Sequence, residues 1–398
     1  MNDRWTWRAA PRVLIILLVL LACLIAAGPA AAAKPAPPPG STQWVYAIYM
    51  NADNSLEKYW GQYSLPWLEK IPASTGLKVV AMEDFKSTSG TTLAEITPGK
   101  QTVVATYPEK DFGDGATFEW FIQTVHSLYP STHLAVSVWD HGYGWRYFSQ
   151  DDTSNDSISM PEFQAAVKNA AVPIDILAFD ACNMADVDVA YEAALAGNVN
   201  IMVASEETVP GNGYPYDFML TPVASNPAET PAQVATDMVN GWGKYYDTQK
   251  WASTVQLGAI DITKIRAAAA DLQNWAGIMN ADLPTYKTRY AAELKATWAA
   301  FATKHYDLAD YCKHLVADTG VADATLKAAA GKVVTDVAGA VIANHNAKGT
   351  LAATGLQIWW GFGSDWTTYQ AAYKVQPAFA QASPTGMNWW VFLNAYNN

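Results

Sequence analysis

Residues 134–142 read LAVSVWDHG and residues 174–182 read IDILAFDAC. Each is an apolar run that ends in aspartate and is followed within two residues by a side chain capable of chemistry, His141 in one case and Cys182 in the other. The runs are nearly continuous in apolar character, the pattern of strands covered on both faces. Between them PEFQAAVKNA, residues 161–170, has the spacing of a crossover helix. A right-handed strand–helix–strand unit sets its two strands side by side. His141 and Cys182 then lie beyond neighbouring carboxyl ends, where ligands gather in open α/β sheets. A thiol and an imidazole so placed are the minimum equipment for covalent acyl transfer.

Further strand-like runs occur at Trp44–Met50, Leu77–Met82, Asn200–Ala204, Thr254–Ile262 and Gly355–Trp360. Helical periodicity marks Phe118–Tyr129, Met184–Ala196, Pro231–Thr248, Ile265–Met279 and Ala324–Ala343. The alternation predicts an α/β/α sandwich with a mainly parallel central sheet. The stretch from about residue 226 to 321 is alanine-rich and reads as a helical insertion or subdomain. Gly355–Trp360 is expected to rejoin the main sheet, so residues 44–398 form one elaborated domain.

Arg4, Arg8 and Arg12 precede an apolar stretch from Val13 to Ala27 and an alanine run near Ala31–Ala33, which reads as an export signal over residues 1–33. Leu20-Leu21-Ala22-Cys23 also has the form of a lipoprotein signal, with Cys23 acylated, and an uncleaved anchor is the third reading. KPAPPPG opens a proline-rich linker, residues 34–43. The chain is expected in the secreted or cell-envelope space, with membrane contact only through that N-terminus. A net charge of −12 without clustered Lys and Arg excludes nucleic acid as a partner. Of three cysteines, Cys23 leaves or is lipidated and Cys312 sits in a helical pattern. No disulfide framework follows, and a Cys182–Cys312 bridge is the alternative to a reactive thiol.

Cys182 is read as opening the helix that runs through Met184, Val187, Tyr191 and Leu195, whose N-terminus would favour a thiolate. Gly142 lets its backbone N–H approach a substrate carbonyl, and with the Cys182 N–H it would form an oxyanion hole. Asp180 suits a helix or turn cap, since Asp is favoured just before a helix.

The residues resemble the clostripain-like cysteine peptidases, relatives of caspases, gingipains and legumains. The resemblance spans most of residues 44–398. It rests first on WDHGYGW (139–145) and FDACNMADVDVAYE (179–192), then on WVYAIYMNADNSLE, DDTSNDSISMPEF, ASEETVPGNGYPY, STVQLGAIDITKI, YDLADYC, GLQIW and WWVFLNAY. It implies a caspase-like fold with a dyad of His141 and Cys182 and backbone oxyanion donors at Gly142 and Cys182. It also implies cleavage after Arg or Lys, with Asp180 at the floor of the pocket. A second acidic contribution is expected from the loop holding Glu206, Glu207 and Asn212, with Glu206 as the expected substrate contact. GLQIWWGF departs from the family's shape near the last strand and leaves the adjoining subsites open.

Asp151, Thr153, Asn155, Ser157, Ser159 and Glu162 have the spacing of a calcium loop, but Ser159 and Glu162 also spell a capping box, which is the preferred reading. No cofactor is required by the chemistry, and calcium stays open. HExxH, GxSxG, GxGxxG and P-loop motifs are absent. The expected function is a secreted cysteine endopeptidase acting on protein or peptide. A catalytically silent peptide- or glycan-binding protein and a transpeptidase are the alternatives. Oligomeric state is not legible.

Overall fold

A computed structural model of the chain describes residues 42–300, 304–350, 352–381 and 389–398. The signal segment and the linker up to residue 41 lie outside the described residues. The linker's last two residues, Thr42 and Gln43, belong to the first strand instead.

The strands are β1 (Thr42–Ala52), β2 (Leu77–Phe85), β3 (Thr91–Thr97), β4 (Lys100–Tyr107), β5 (Ser131–Trp139), β6 (Phe148–Asp151), β7 (Asp156–Ile158), β8 (Ile174–Asp180), β9 (Val199–Ala204), β10 (Gln256–Asp261), β11 (His305–Asp307), β12 (Val341–Asn346) and β13 (Gln357–Trp359). Nine form one sheet in the order β12-β10-β9-β8-β5-β1-β2-β3-β4. The inner run β2-β1-β5-β8-β9 is parallel, and antiparallel strands extend both sides. The chain runs from β1 to β2 on one side and later returns to β5 on the other. That reversal opens a crevice at the carboxyl ends of β1 and β5.

Both faces of β1 are buried, and its side chains alternate between two cores: Val45, Ala47 and Tyr49 enter one, Trp44, Tyr46 and Ile48 the other. The first core is covered by α1 (Gly115–Leu128), α2 (Met160–Ala170), α3 (Val187–Ala196), and later α6 (Ile265–Ala296), α7 (Leu308–Ala317), α8 (Ala324–Ala340) and α10 (Trp389–Asn397). The second lies under a short helical segment, residues 57–68, and under α4 (Tyr216–Ser225) and α5 (Pro231–Tyr246). A further helix, α9 (Ser364–Tyr373), sends Trp366 and Tyr373 into the first core. Trp44, Trp60, Trp145, Trp242, Trp275, Trp360 and Trp389 are fully buried, so the tryptophan-rich composition is largely core.

The helix-rich stretch expected near residues 226–321 contains α5, α6 and α7, but β10 interrupts it and joins the main sheet. Its helices serve as layers on both faces. Gly355–Trp360 does not rejoin that sheet: β13 pairs antiparallel with β11 in a two-stranded ribbon. The strand that does return is β12, which the alanine-rich pattern merged into the preceding helix. The hairpin β3–β4 also escaped the sequence reading, because β4 is an exposed edge with few buried side chains to set a period.

Residues 151–162 form the β6–β7 hairpin and then a helix cap, the reading preferred from the sequence over a calcium loop. Asp151 accepts the N–H groups of Phe112 and Ser154 at 2.9 and 2.8 Å. Ser159 and Glu162 form the capping box of α2.

Candidate active site

The register Met50↔Trp139 and Trp139↔Asp180 brings three strand ends level. Beyond them come Asp53–Ser55 after β1, Asp140–Gly142 after β5, and Ala181–Cys182 after β8. A cavity of about 180 Å³ opens there, lined by Asp140, His141, Asp180, Cys182, Val209 and Gly213 among others. That volume suits one substrate side chain rather than a whole ligand.

The His141 ring is partly buried, and its Nε2 lies 3.2 Å from Ser55 Oγ. Burial lowers its pKa, opposed by the charge of Asp152, so the imidazole is neutral near pH 7. Asp140 beside it is buried and accepts from Asn54 Nδ2 at 2.7 Å. Asn54 also donates to Gln150 O, and its Oδ1 accepts the Leu56 N–H. The residue that sequence reasoning left without a role thus fastens the turn after β1 to the histidine loop. Asn54 and Ser55 lie in the first strand motif, yet nothing local marks them as partners of residues 86 positions away.

Gly142 is required by close approach: a Cβ there would stand 2.6 Å from Cys182 O and 2.9 Å from Met184 Sδ. Its neighbours form the bridge to the β6 side, Ser149 N–H to His141 O and Tyr143 N–H to Tyr147 O. In that pattern the Gly142 N–H faces away from the bridge. Among the described residues neither it nor the Cys182 N–H has a hydrogen-bond acceptor.

Cys182 does not open a helix. α3 starts at Val187, capped by Asp186 on the Asp188 N–H at 2.9 Å. Residues 182–186 form a turn, with Asn183 at φ 60°, stitched to the end of β9 by Asn183 N–H to Glu207 O and Ala185 N–H to Ser205 O. Asn183 Nδ2 also donates to Glu206 O, and Gln357 Nε2 to Asn183 O. Helix-dipole activation of the thiol is therefore absent, and the expectation resting on it is overturned. The thiol accepts the Val209 N–H at 3.3 Å and points its own hydrogen at Val209 O, 3.7 Å away. Burial, with Asp180, Glu207 and Asp140 nearby, pushes it up to about 11. Cys182 and Cys312 are both free, so the bridge between them is excluded.

Asp180 is buried at the cavity wall. Its Oδ2 accepts the Tyr214 N–H and the Tyr216 hydroxyl, both at 2.9 Å, while Oδ1 has no partner. Desolvation pushes its carboxyl up to about 7, against the pull of those two donors. Gly213, at φ +71°, clears the space in front: a Cβ there would come within 2.9 Å of the carboxylate.

Glu206 is not in the cavity. It is fully buried behind the loop, beside Asp307, and accepts the Gly355 N–H. Its expected contact with substrate is corrected to a structural one. Glu207 turns its side chain onto the Thr208 N–H, and Asn212 reaches the Tyr245 hydroxyl. Asp140 and Asp180 are the carboxylates that line the cavity.

A buried pair missed from sequence, Asp186 Oδ2 and His305 Nε2 at 2.9 Å, links the cysteine turn to β11 beside the histidine loop. Gly144, at φ +60°, packs against both atoms.

A family model described as the clostripain family matches residues 48–358. No curated protein matches. Solved structures of similar fold include a secreted C11 cysteine protease from Bacteroides thetaiotaomicron in complex with an irreversible peptide inhibitor, at 18% identity and TM-score 0.63, covering 83% of this chain and 96% of that one. An inactive zymogen C11 protease from Parabacteroides distasonis is similar at 18% identity and TM-score 0.68, covering 85% and 97%.

Proposed function

The chain belongs to the clostripain family of cysteine peptidases, and from that premise we propose that it cleaves peptide bonds after Arg or Lys with Cys182 as nucleophile and His141 as base and acid. The reading is carried by one observation: a thiol, a neutral imidazole and a buried carboxylate with an orphan oxygen line one side-chain-sized cavity.

A thiol held at about 11 is not a standing thiolate. Its proton passes to His141 as Sγ attacks the carbonyl carbon, which a neutral imidazole allows. The oxyanion is received by the N–H groups of Gly142 and Cys182, donors worth about 10²–10³ in rate in comparable sites. Collapse breaks the C–N bond, and the imidazolium protonates the leaving amine. Water, losing a proton to His141, then hydrolyses the thioester. The Cys182–Val209 hydrogen bond yields to His141 when substrate enters, since such contacts tighten only in the complex.

Asp180 is the proposed partner of the substrate cation. Its unpartnered Oδ1 supplies the acceptor, and a guanidinium or ammonium supplies the charge that the desolvated carboxylate lacks. Export is part of the proposal, supported by the N-terminal sequence and by relatives described as secreted. Among the described residues no helix is long and apolar enough to cross a membrane.

The test is a panel of fluorogenic peptides that differ only in the residue before the scissile bond, run on wild type and Cys182→Ala. Cleavage after Arg or Lys that vanishes in the variant is the expected result. Equal activity in both overturns the nucleophile, and preference for an uncharged residue removes the role given to Asp180.

A further inference from the structure

A groove of about 730 Å³ lies on the other flank of His141 from the side-chain cavity, and the chemistry just described does not use it. Trp60, Leu65 and Phe85 form its apolar floor, and Ser55, Ser87 and Thr88 belong to its rim. The order of the strands places it. Val209 and Gly213 beyond β9 and Cys182 beyond β8 wall the cavity, and His141 follows β5. The groove begins at Ser55 beyond β1 and runs to Phe85–Thr88 at the end of β2. One helical stretch divides the two hollows: Leu56 and Tyr59 line the cavity, while Glu57, Trp60 and Gly61 line the groove.

The floor is held in place by the fold. Trp60 opens a wide helical turn, Trp60–Ser64, and is 2% exposed, its ring edge-on to Trp139 with centroids 5.6 Å apart. Ser64 Oγ accepts the Trp139 indole N–H at 2.9 Å, which fixes that turn against β5. Wide turns of this kind recur at functional sites. Across the groove the Ser87 hydroxyl donates to Glu57 and ties the turn after β2 to the helical segment. Leu65 and Phe85 are only half-buried, so apolar surface stays open to the groove. An apolar floor under a polar rim suits a peptide: a side chain is buried below while the rim meets its backbone. Lys58 holds its ammonium over the Tyr59 ring, 4.9 Å from the centroid, and Glu57 is engaged by Ser87, so neither charge is left to select an ionic occupant.

We propose that this groove binds the part of the substrate that follows the scissile bond and favours a large apolar side chain there, an inference that rests on the peptidase reading. The direction follows from the catalytic groups. The residue before the bond has its side chain in the cavity and its carbonyl at Cys182. His141 protonates the leaving amine, so the departing peptide starts at the imidazole and continues past Ser55, whose Oγ lies 3.2 Å from His141 Nε2, into the groove. Neighbouring strands are about 4.8 Å apart, so β8 to β2 spans roughly 14 Å, the reach of about four extended residues. A side chain seated over Trp60 and Phe85 therefore belongs to one of about the first three residues after the bond.

Internally quenched peptides with Arg fixed before the scissile bond, and Leu, Phe, Gly or Asp placed in turn at each position after it, test the groove on the full-length protein. A peptide aminocoumarin amide ending in Arg, which has no residue beyond the bond, reports the peptidase chemistry by itself. In wild type, kcat/KM should be about tenfold higher with Leu or Phe than with Gly at one of those positions. Gly61 is exposed and a Cβ there meets no atom within 4 Å, so Gly61→Phe fills the groove without crowding its neighbours. That variant should shrink the preference to about twofold or less, and Phe85→Ala should weaken it several-fold. Dividing each rate by the aminocoumarin rate of the same variant removes any loss of folded enzyme. Failure of wild type to cleave the aminocoumarin and every extended peptide removes the peptidase reading and the groove with it. Cleavage of the aminocoumarin with equal kcat/KM across the extended peptides, a preference for Asp, or a Leu or Phe preference that survives Gly61→Phe overturns the groove alone.

Discussion

Cys182 and Asp180 sit two residues apart and are both pushed by burial toward their protonated forms. For the thiol, burial withholds the nucleophile until a base is brought to it. Alkylation of Cys182 by iodoacetamide at pH 7.5 should therefore be slower than that of free cysteine and climb steadily above pH 9. A rate plateau at or below pH 7 would mean a standing thiolate. For Asp180, the charged form is what a basic substrate needs, and the free carboxyl titrates at about 7. As pH falls below that value, the protonated fraction grows and kcat/KM for Arg peptides should drop in wild type. Asp180→Asn should lower kcat/KM for Arg by about 10²–10³, the scale of an unpaired buried charge, while sparing an uncharged peptide. Equal losses on both peptides would make Asp180 a structural residue only. At this scale the sequence exposed His141, Gly142, Asp180 and Cys182 because each stands beside a strand end. It misplaced Glu206 because adjacency in a loop does not say which way a side chain turns.

The elements that carry these residues are held by contacts remote in sequence. The histidine loop turns at Gly144, whose φ of +60° and crowding against His305 and Asp186 admit no side chain. Gly144→Ala should lower stability by about 2–3 kcal/mol and reduce activity together with it, read by chemical denaturation and peptide hydrolysis. A variant with unchanged midpoint and activity would show that the Asp186–His305 pair does not brace the two loops. The turn from Cys182 to Asp186 teaches the same lesson. Apolar spacing ran back as far as Met184 and suggested a helix from Cys182, yet α3 waits for the Asp186 cap. Met184 and Ala185 are buried against loops rather than along a helix face. Periodicity marks burial, and burial alone does not fix backbone geometry.

Across the molecule, buried acids set the response to pH. Asp180 and Glu192 both titrate near 7 in the fold, against ordinary values of 3.8 and 4.5, and burial pushes Asp188 well up too. The native state then holds more protons than the unfolded chain between about pH 4 and 7, so stability falls as pH rises through that window. Calorimetry in chelator should give a higher melting temperature at pH 5 than at pH 8, and the reverse order would refute the assignment. The sequence by itself determined the parallel core, the strand ends and the side chains placed on them, because a strand buried on both faces leaves a continuous apolar run that stops where the chain meets the site. Tertiary structure alone decided that β12 rather than Gly355–Trp360 closes the sheet. It alone brought Asn54 and Ser55 to the histidine and put Glu206 behind the loop. Those outcomes depend on hydrogen-bonding partners and charges supplied by distant segments, and no local pattern encodes the partner.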